Sequence, residues 1–359
     1  MFKSIFIIQP AFPKYRTSLF DRLRDKFSLT VFACKKDFLG VESVAGSPYV
    51  EFGGGFISLC GVFYWHKGLS LVSAYKEGDV VVVSGNPRII NYMLLMMFCR
   101  LRGIEVVWWG HGWSAGSHGL MSKIRIRLMC LANKILVYTD FEKEKLGKHN
   151  CFALNNGLDK IEIQGAMARA GSNRSYESPC FDLVFVGRVT EKAGLSVLIH
   201  ALPTIDHKVR VKVVGDGALR NNLQDLASIL GVADRIDWLG PVFDENVMAP
   251  IMLAAHAFVY PGAVGLSLIH AFNYGLPAII HSDRSSHMPE FAAFSDGENG
   301  FAFVKDDADS LASVVNQLVL KPTDELRRLS EKASLTVRDT YHIEDMVDRF
   351  SRMITDPLK

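Results

Sequence analysis

The sequence predicts an α/β protein built from two doubly wound domains in tandem. Three observations lead there. First, 359 residues exceed what one hydrophobic core holds, since cores stop growing at about 250–300 residues. Second, short apolar runs alternate with amphipathic helical patterns, break off at residues 155–179, and then restart. Third, residues 1–150 carry 20 Lys and Arg against 11 Asp and Glu, net +9, while residues 151–359 carry 20 against 27, net −7. A basic half joined to an acidic half suggests two domains with different partners.

The elements follow in chain order. Strands are expected at 4–8, 29–33, 80–84, 105–109 and 135–139, with helices between them where Leu19, Phe20, Leu23 and Phe27 recur at helical spacing and over 89–102. Asn155-Asn156-Gly157, the Ala-Gly-Ser-Asn run at 170–173 and Ser178-Pro179 read as a linker or surface loop. Beyond it, strands are expected at 182–186, 209–214, 235–239, 257–260, 278–281 and 301–304. A helix carrying Leu219, Leu223, Leu226 and Leu230 is closed by Gly231, and helical patterns end the chain at 308–320, 324–338 and 343–354. Strand–helix alternation means parallel sheets with helices on both faces. Ligands in such sheets bind at the carboxyl ends of strands where the strand order reverses, and two facing domains would form a cleft.

Composition removes several classes. Hydrophobic residues make up 49% and charged ones 22%, which excludes disorder; a net charge of +2 marks no nucleic-acid binder. No apolar run reaches the roughly 20 residues that span a bilayer, and the start of the chain reads as a first strand and a turn at Gln9, Pro10 and Pro13 rather than a signal peptide. The six cysteines, at 34, 60, 99, 130, 151 and 180, form no Cys-x-x-Cys pair and are expected to be reduced and mostly buried, as Cys99 and Cys130 in their apolar surroundings would be. No metal is expected: His281, Asp283 and His287 match no standard ligand spacing.

Four segments could carry chemistry. Gly187-Arg188 and then Glu191-Lys192-Ala193-Gly194 follow a strand, so Arg188 and Lys192 would stand at its carboxyl end, two fixed cations suited to a diphosphate. Gly215-Asp216-Gly217 closes the next strand, with Asp216 as a candidate helix cap. Gly262-Ala263-Val264-Gly265-Leu266 feeds a helix expected at 267–274, offering backbone N–H groups and a positive dipole end, with His270 one turn in. In the first half, Trp108-Trp109-Gly110-His111-Gly112-Trp113 ends a strand, and glycines on both sides let His111 come close to a ligand. No Gly-x-Gly-x-x-Gly or Gly-x-x-x-x-Gly-Lys-Ser/Thr fingerprint follows any strand, which argues against dinucleotide and P-loop chemistry.

The order Gly187-Arg188…Lys192, Gly215-Asp216-Gly217, Trp238-Leu239-Gly240, Pro261…Gly265-Leu266, Gly275-Leu276-Pro277, Pro289-Glu290 and Gly297-Glu298-Asn299-Gly300 resembles the retaining GT-B glycosyltransferases of the family 4 group. The resemblance is strong over 181–320 and rests in the first half on His111-Gly112 and Asn156-Gly157-Leu158-Asp159. Pro10…Pro13…Tyr15-Arg16 resembles a bacterial surface-polysaccharide subgroup. It implies two Rossmann-like domains facing an interdomain cleft: an acceptor domain over 1–160, a linker at 161–177, a nucleotide-sugar domain over 178–341, and a last segment, 342–359, crossing back to the first domain.

The implied activity is transfer of a sugar, with retention of configuration, from a nucleotide-diphosphate sugar to a glycan or lipid-linked acceptor in polysaccharide or O-antigen synthesis. No cofactor beyond the donor is implied. Arg188 and Lys192 would neutralise the leaving diphosphate, His111 would lie near the sugar and the diphosphate, and Gly187, Gly215, Gly262, Val264, Gly265, Leu266 and His270 would line the donor site. Two departures stand out. The family's paired glutamates fall at Gly262 and His270, and its phosphate lysine falls at Ala193, with Lys192 as the substitute. An inverting enzyme, an epimerase of the same architecture and a non-catalytic nucleotide-sugar-binding protein are the competing readings. Arg22, Arg24 and Lys26 beside Arg16, and Lys123, Arg127 and Lys134 on one presumed helical face, suggest cytoplasmic, peripheral attachment to anionic membrane.

Overall fold

The computed structural model describes residues 3–35, 43–44, 47–71, 74–112, 120–171, 174–176 and 178–357. The chain divides into two compact units, Met1–Asn156 with Ile343–Lys359, and Gly157–His342.

The first unit is a seven-stranded parallel sheet with a small hairpin. Its strands are β1 (Ser4–Ile8), β2 (Ser28–Cys34), β3 (Val50–Gly53), the antiparallel pair β4 (Phe56–Leu59) and β5 (Phe63–His66), β6 (Val80–Ser84), β7 (Glu105–Trp109), β8 (Lys134–Val137) and β9 (Cys151–Ala153). The sheet order is β3-β2-β1-β6-β7-β8-β9, so the winding reverses between β1 and β6. The β-branched run Val80–Val83 is fully buried on both faces. Val80 and Val82 join the core under helices Thr17–Arg24 and Ile343–Thr355, while Val81 and Val83 join the core under Ile90–Leu101.

Helix Ile343–Thr355 buries Ile343, Met346, Val347, Phe350, Met353 and Ile354, a helical stripe with no gap. Its carboxyl end is held by Lys134, whose ammonium is buried, donates to the carbonyls of Met353 at 2.7 Å and Asp356 at 2.8 Å, and pairs with Glu105 at 2.9 Å. Arg22 pairs with Glu344, and Lys26 with Asp348 at 3.0 Å, from the facing helix. The basic cluster read from the sequence is corrected here. Lys134 does not share a helical face with Lys123 and Arg127, because the helix stops at Leu128 and Lys134 opens β8. Cys130 also departs from expectation: it is exposed, as is Cys60, while Cys34, Cys99 and Cys151 are buried thiols.

The second unit is a six-stranded parallel sheet: β10 (Phe181–Val186), β11 (Val209–Val214), β12 (Ile236–Gly240), β13 (Ala257–Tyr260), β14 (Ala278–His281) and β15 (Gly300–Phe303). Its order, β12-β11-β10-β13-β14-β15, reverses between β10 and β13. One face packs on helices Leu195–Ala201, Arg220–Ile229 and Ala308–Val319, the other on Lys160–Ala170, Glu245–Ala254 and Leu266–Asn273.

The segment expected as linker and loop is helical over Lys160–Ala170. Asp159 caps its start, accepting from the amides of Ile161 and Glu162, and Gly171 closes it at φ +62°. Ile163 and Ala166 are buried in the core that also holds Met248, Ala249 and Met252 of helix Glu245–Ala254. Arg174, also in the expected loop, donates to the carbonyls of Ala255, Gly275 and Tyr274. Loop composition therefore masked a capped helix and an anchored arginine; Ser172 and Asn173 of that run lie outside the described residues.

Candidate active site

At the switch point of the second sheet, the turns after β10 and β13 lie side by side. Val186 ends β10, Gly187 and exposed Arg188 follow, and a short 3-10 turn, Glu191–Ala193, leads through Gly194 into helix Leu195–Ala201. Lys192 is exposed in that turn while Ala193 is fully buried. The two turns are laced by backbone: the amide of Gly262 donates to the Ala193 carbonyl at 3.0 Å and that of Ala263 to the Lys192 carbonyl at 2.8 Å. A Cβ at position 262 would stand 2.0 Å from the Lys192 oxygen, so only glycine fits there. That close approach explains why the expected carboxylate is missing at Gly262. Gly215 is equally constrained: at φ +140° its Cβ position lies 1.8 Å from the Gly187 carbonyl oxygen.

The loop after β13 does not present all the backbone donors that its sequence offered. Gly262 and Ala263 spend theirs on the neighbouring turn, and the amide of Val264 donates to His287 Nδ1 at 3.1 Å. Val264 itself is fully buried. The donors without an intrahelical acceptor begin at the start of helix Leu266–Asn273, just after Gly265. His281 and His287, rejected as metal ligands, stack at 3.8 Å between ring centres, and His287 Nε2 lies 2.8 Å from the His281 carbonyl. Burial pushes His287 down to about 4, which keeps its Nδ1 free of a proton and able to accept from Val264. These histidines brace the loop, and no three-residue metal-binding group exists among the described residues.

His270 sits one turn into helix Leu266–Asn273, with Nε2 2.7 Å from Glu245 Oε1. The hydroxyl of Tyr274 donates to the same oxygen at 2.5 Å. Burial would raise the Glu245 carboxyl, yet the bonds from His270 and Tyr274 hold it below its ordinary value. A carboxylate can only accept, so the His270 nitrogen that faces Glu245, Nε2, carries a proton. Asp216 does not cap the following helix; its carboxylate accepts from Gly217 and lies 3.7 Å from Arg220.

In the first unit, Trp109 ends β7, and Gly110 and His111 follow. Trp113 lies outside the described residues. The His111 ring packs on Tyr138, 4.5 Å between centres, and its Nδ1 is 3.9 Å from Glu142. Glu142 is buried and is held by both oxygens: Oε1 accepts from the Gly112 amide and Oε2 from the Tyr138 amide, each at 3.0 Å. Thr139 caps the helix that carries it. Burial and the nearby guanidinium groups of Arg125 and Arg16 push His111 down to about 4, so it is a neutral imidazole at pH 7. Sequence reasoning missed Glu142; the signal it could have used is Thr139-x-x-Glu142, a capping-box spacing whose glutamate here turns inward.

Both units, with helix Ile343–Thr355 belonging to the first, make the GT-B fold. Anabaena HepE in complex with UDP superposes with a TM-score of 0.69 at 15% identity, covering 98% of this chain and 99% of that one. The apo lipopolysaccharide outer core galactosyltransferase WaaB gives 0.68 at 13% identity, over 98% and 99%. Residues 180–321 match the family described as Glycosyl transferases group 1. Among curated proteins, the lipopolysaccharide core biosynthesis glycosyltransferase LpsE of Rhizobium meliloti is 28% identical over 193 residues, 53% of each chain. A GDP-mannose-dependent phosphatidylinositol monomannoside mannosyltransferase of Mycolicibacterium smegmatis is 29% identical over 157 residues, 39% of each. The chain thus spans about half, or less, of the curated relatives it matches.

Proposed function

We propose that this protein is a glycosyltransferase that moves a sugar from a nucleotide-diphosphate sugar to a glycan acceptor, with retention of anomeric configuration, in lipopolysaccharide or polysaccharide synthesis. The observation that carries this reading is the backbone lacing of the Arg188–Lys192 turn to the glycine loop at the switch point of the second sheet. The turn that carries Arg188 and Lys192 is thereby held against the loop that opens helix Leu266–Asn273. In the transition state the sugar gains oxocarbenium character and the diphosphate gains negative charge, so stabilisation should be largest where cations and helix donors meet the phosphates. Arg188 offers a bidentate fork and Lys192 a point charge. His270, oriented by Glu245 through Nε2, meets the donor's ribose or diphosphate through Nδ1. Neutral His111 contacts the transferred sugar, and Glu142 positions its loop.

UDP and GDP sugars are the donors to test first, since HepE is complexed with UDP and the mycobacterial relative uses GDP-mannose. The acceptor is read as lipid-linked, and the protein as peripheral on the cytoplasmic membrane face, supported by exposed Lys123, Arg127 and Ile124 on helix Leu120–Leu128. No helix among the described residues is long and apolar enough to cross a membrane. A thermal-shift screen of nucleoside diphosphates and their sugars identifies the donor, and NMR of the first-formed product from an α-linked donor identifies the stereochemistry. An α product is expected. A β product overturns retention, and no response to any nucleotide overturns the reading as a whole.

A further inference from the structure

Arg16 follows β1, beside the point where the first sheet reverses its order. Only 6% of it is exposed, and its Nη1 has no hydrogen-bond partner among the described residues. Its guanidinium stands 4.5 Å over the Trp109 ring and 5.6 Å from the rings of Tyr15 and Tyr138. His111 packs on the same Tyr138 ring. Arg125, half-buried on helix Leu120–Leu128, is near enough to His111 for its charge to act on the ring.

Among the described residues, the charges facing this cluster do not balance. Arg16 and Arg125 are cations. Glu142 is the carboxylate acting on Arg125, and both its oxygens already accept backbone amides. Tyr15 and Tyr138 are phenols, with Tyr138 pushed up by burial, and His111 is neutral. A buried guanidinium with an N–H left over is costly, and each such group in a native protein asks for an explanation. The planar fork of arginine matches phosphate oxygens, and two arginines suit a dianion better than a single-charge carboxylate.

We propose that Arg16 and Arg125, together with His111, hold a phosphate oxyanion of the acceptor substrate. The word acceptor rests on the glycosyl-transfer reading; the oxyanion site does not. The acceptor is favoured over the donor because the second unit has its own cation pair, Arg188 and Lys192, within the segment matching the glycosyltransferase family.

Inorganic pyrophosphate is the probe, and the His111 side chain is the reporter. In the full-length protein with ¹⁵N-labelled histidine, the His111 signal is identified by its loss in His111→Gln. An anion bound beside this ring stabilises its protonated form, so pyrophosphate should raise the His111 midpoint from about 4. Arg16→Gln should weaken the pyrophosphate response roughly tenfold or more, Arg125→Gln should act in the same direction, and Arg188→Gln should leave it in place. Titration of UDP, or of whichever nucleotide the wild type binds, should change by less than about twofold in Arg16→Gln. Should Arg16→Gln fail to fold, half-buried Arg125→Gln carries the same comparison. A His111 signal indifferent to pyrophosphate overturns the proposal, and so does a response equal in wild type and in Arg125→Gln. A parallel loss of nucleotide binding in Arg16→Gln also overturns it, by assigning the arginine to the donor. Absence of sugar transfer with an intact pyrophosphate response would remove only the glycosyl-transfer reading.

Discussion

One oxygen of the buried Glu142 carboxylate accepts the amide N–H of Gly112 at 3.0 Å, the residue next to His111. The other oxygen holds the amide of Tyr138, whose ring supports the imidazole. A single side chain thus fixes both the loop that carries His111 and the wall it rests on. Glu142→Ala leaves two amides without their acceptor, and we expect a loss of about 2–4 kcal/mol in urea unfolding. His111→Ala should fold normally and lose turnover while donor affinity is kept. Unchanged turnover in His111→Ala would make the histidine structural.

Arg188→Ala and Lys192→Ala should each lower turnover at least a hundredfold, about 2.7 kcal/mol at about 1.36 per decade. Both residues are exposed, so their melting temperatures should move little. The burial of Ala193 gives the second variant its force: Lys192 is the lysine of this turn that reaches solvent. Wild-type turnover in Lys192→Ala would remove it from the diphosphate site.

His270→Ala should weaken nucleotide binding, measured by calorimetry, because the ring's contact to the donor is lost. Glu245→Gln is the sharper test. It leaves the imidazole in place but replaces the charged acceptor of Nε2–H by a neutral amide, which weakens the hold on the ring. Binding should weaken there too, by less. An unchanged dissociation constant in folded His270→Ala would mean that the ring only joins two helices.

Acid should destabilise the protein through its buried histidines. Burial pushes His66, His111 and His287 down to about 4, against roughly 6.5 in an unfolded chain. The unfolded chain therefore takes up protons first as pH falls below about 6.5, and the folded chain resists until near 4. Their stabilisation is complete above that window and is lost through it. His66 and His287 are nearly inaccessible, and each should contribute on the order of 2–3 kcal/mol of loss by about pH 4.5; His111, a third exposed, contributes less. Urea midpoints at neutral and acid pH should fall accordingly, with a shallower fall in His66→Gln. A flat profile from pH 7 to 4.5 would contradict this.

Binding to vesicles should depend on Lys123 and Arg127 more than on Arg22 and Lys26, whose charges are met by Glu344 and Asp348. At about 1 kcal/mol per cation near an anionic surface, the double change Lys123→Gln with Arg127→Gln should lower partitioning roughly thirtyfold at low salt. Equal partitioning onto neutral and anionic vesicles would refute attachment by charge.

Strand positions were legible because buried parallel strands are rich in β-branched residues: Val80–Ser84, an unbroken valine run, and Val209–Val214, where Arg210 and Lys212 alternate with valines, stand where the sequence put them. Helix Lys160–Ala170 was not, because Gly165 interrupts it and its Gly171 stop was read as loop composition. Arg188 and Lys192 could be read from chain order alone, since both sit in the turn that ends a strand. Glu142 and Glu245 could not. Each acts on a partner from a different element, Gly112 or His270, and that adjacency is created by folding. Charge runs misled for the same reason: Lys134 looks like a surface cation until the last helix places two carbonyls on it.

That last helix also sets an order of events during synthesis. The second unit is continuous, so it can close its core as soon as residue 342 has left the ribosome. The first unit begins earlier and finishes later. Until residues 343–357 emerge, the apolar face that Phe350 and Met353 will cover stays open, and the ammonium of Lys134 has Glu105 but lacks its two carbonyl acceptors. Of the two units, the one that emerges first must wait, exposed to chaperones, until residues 343–357 have followed the second.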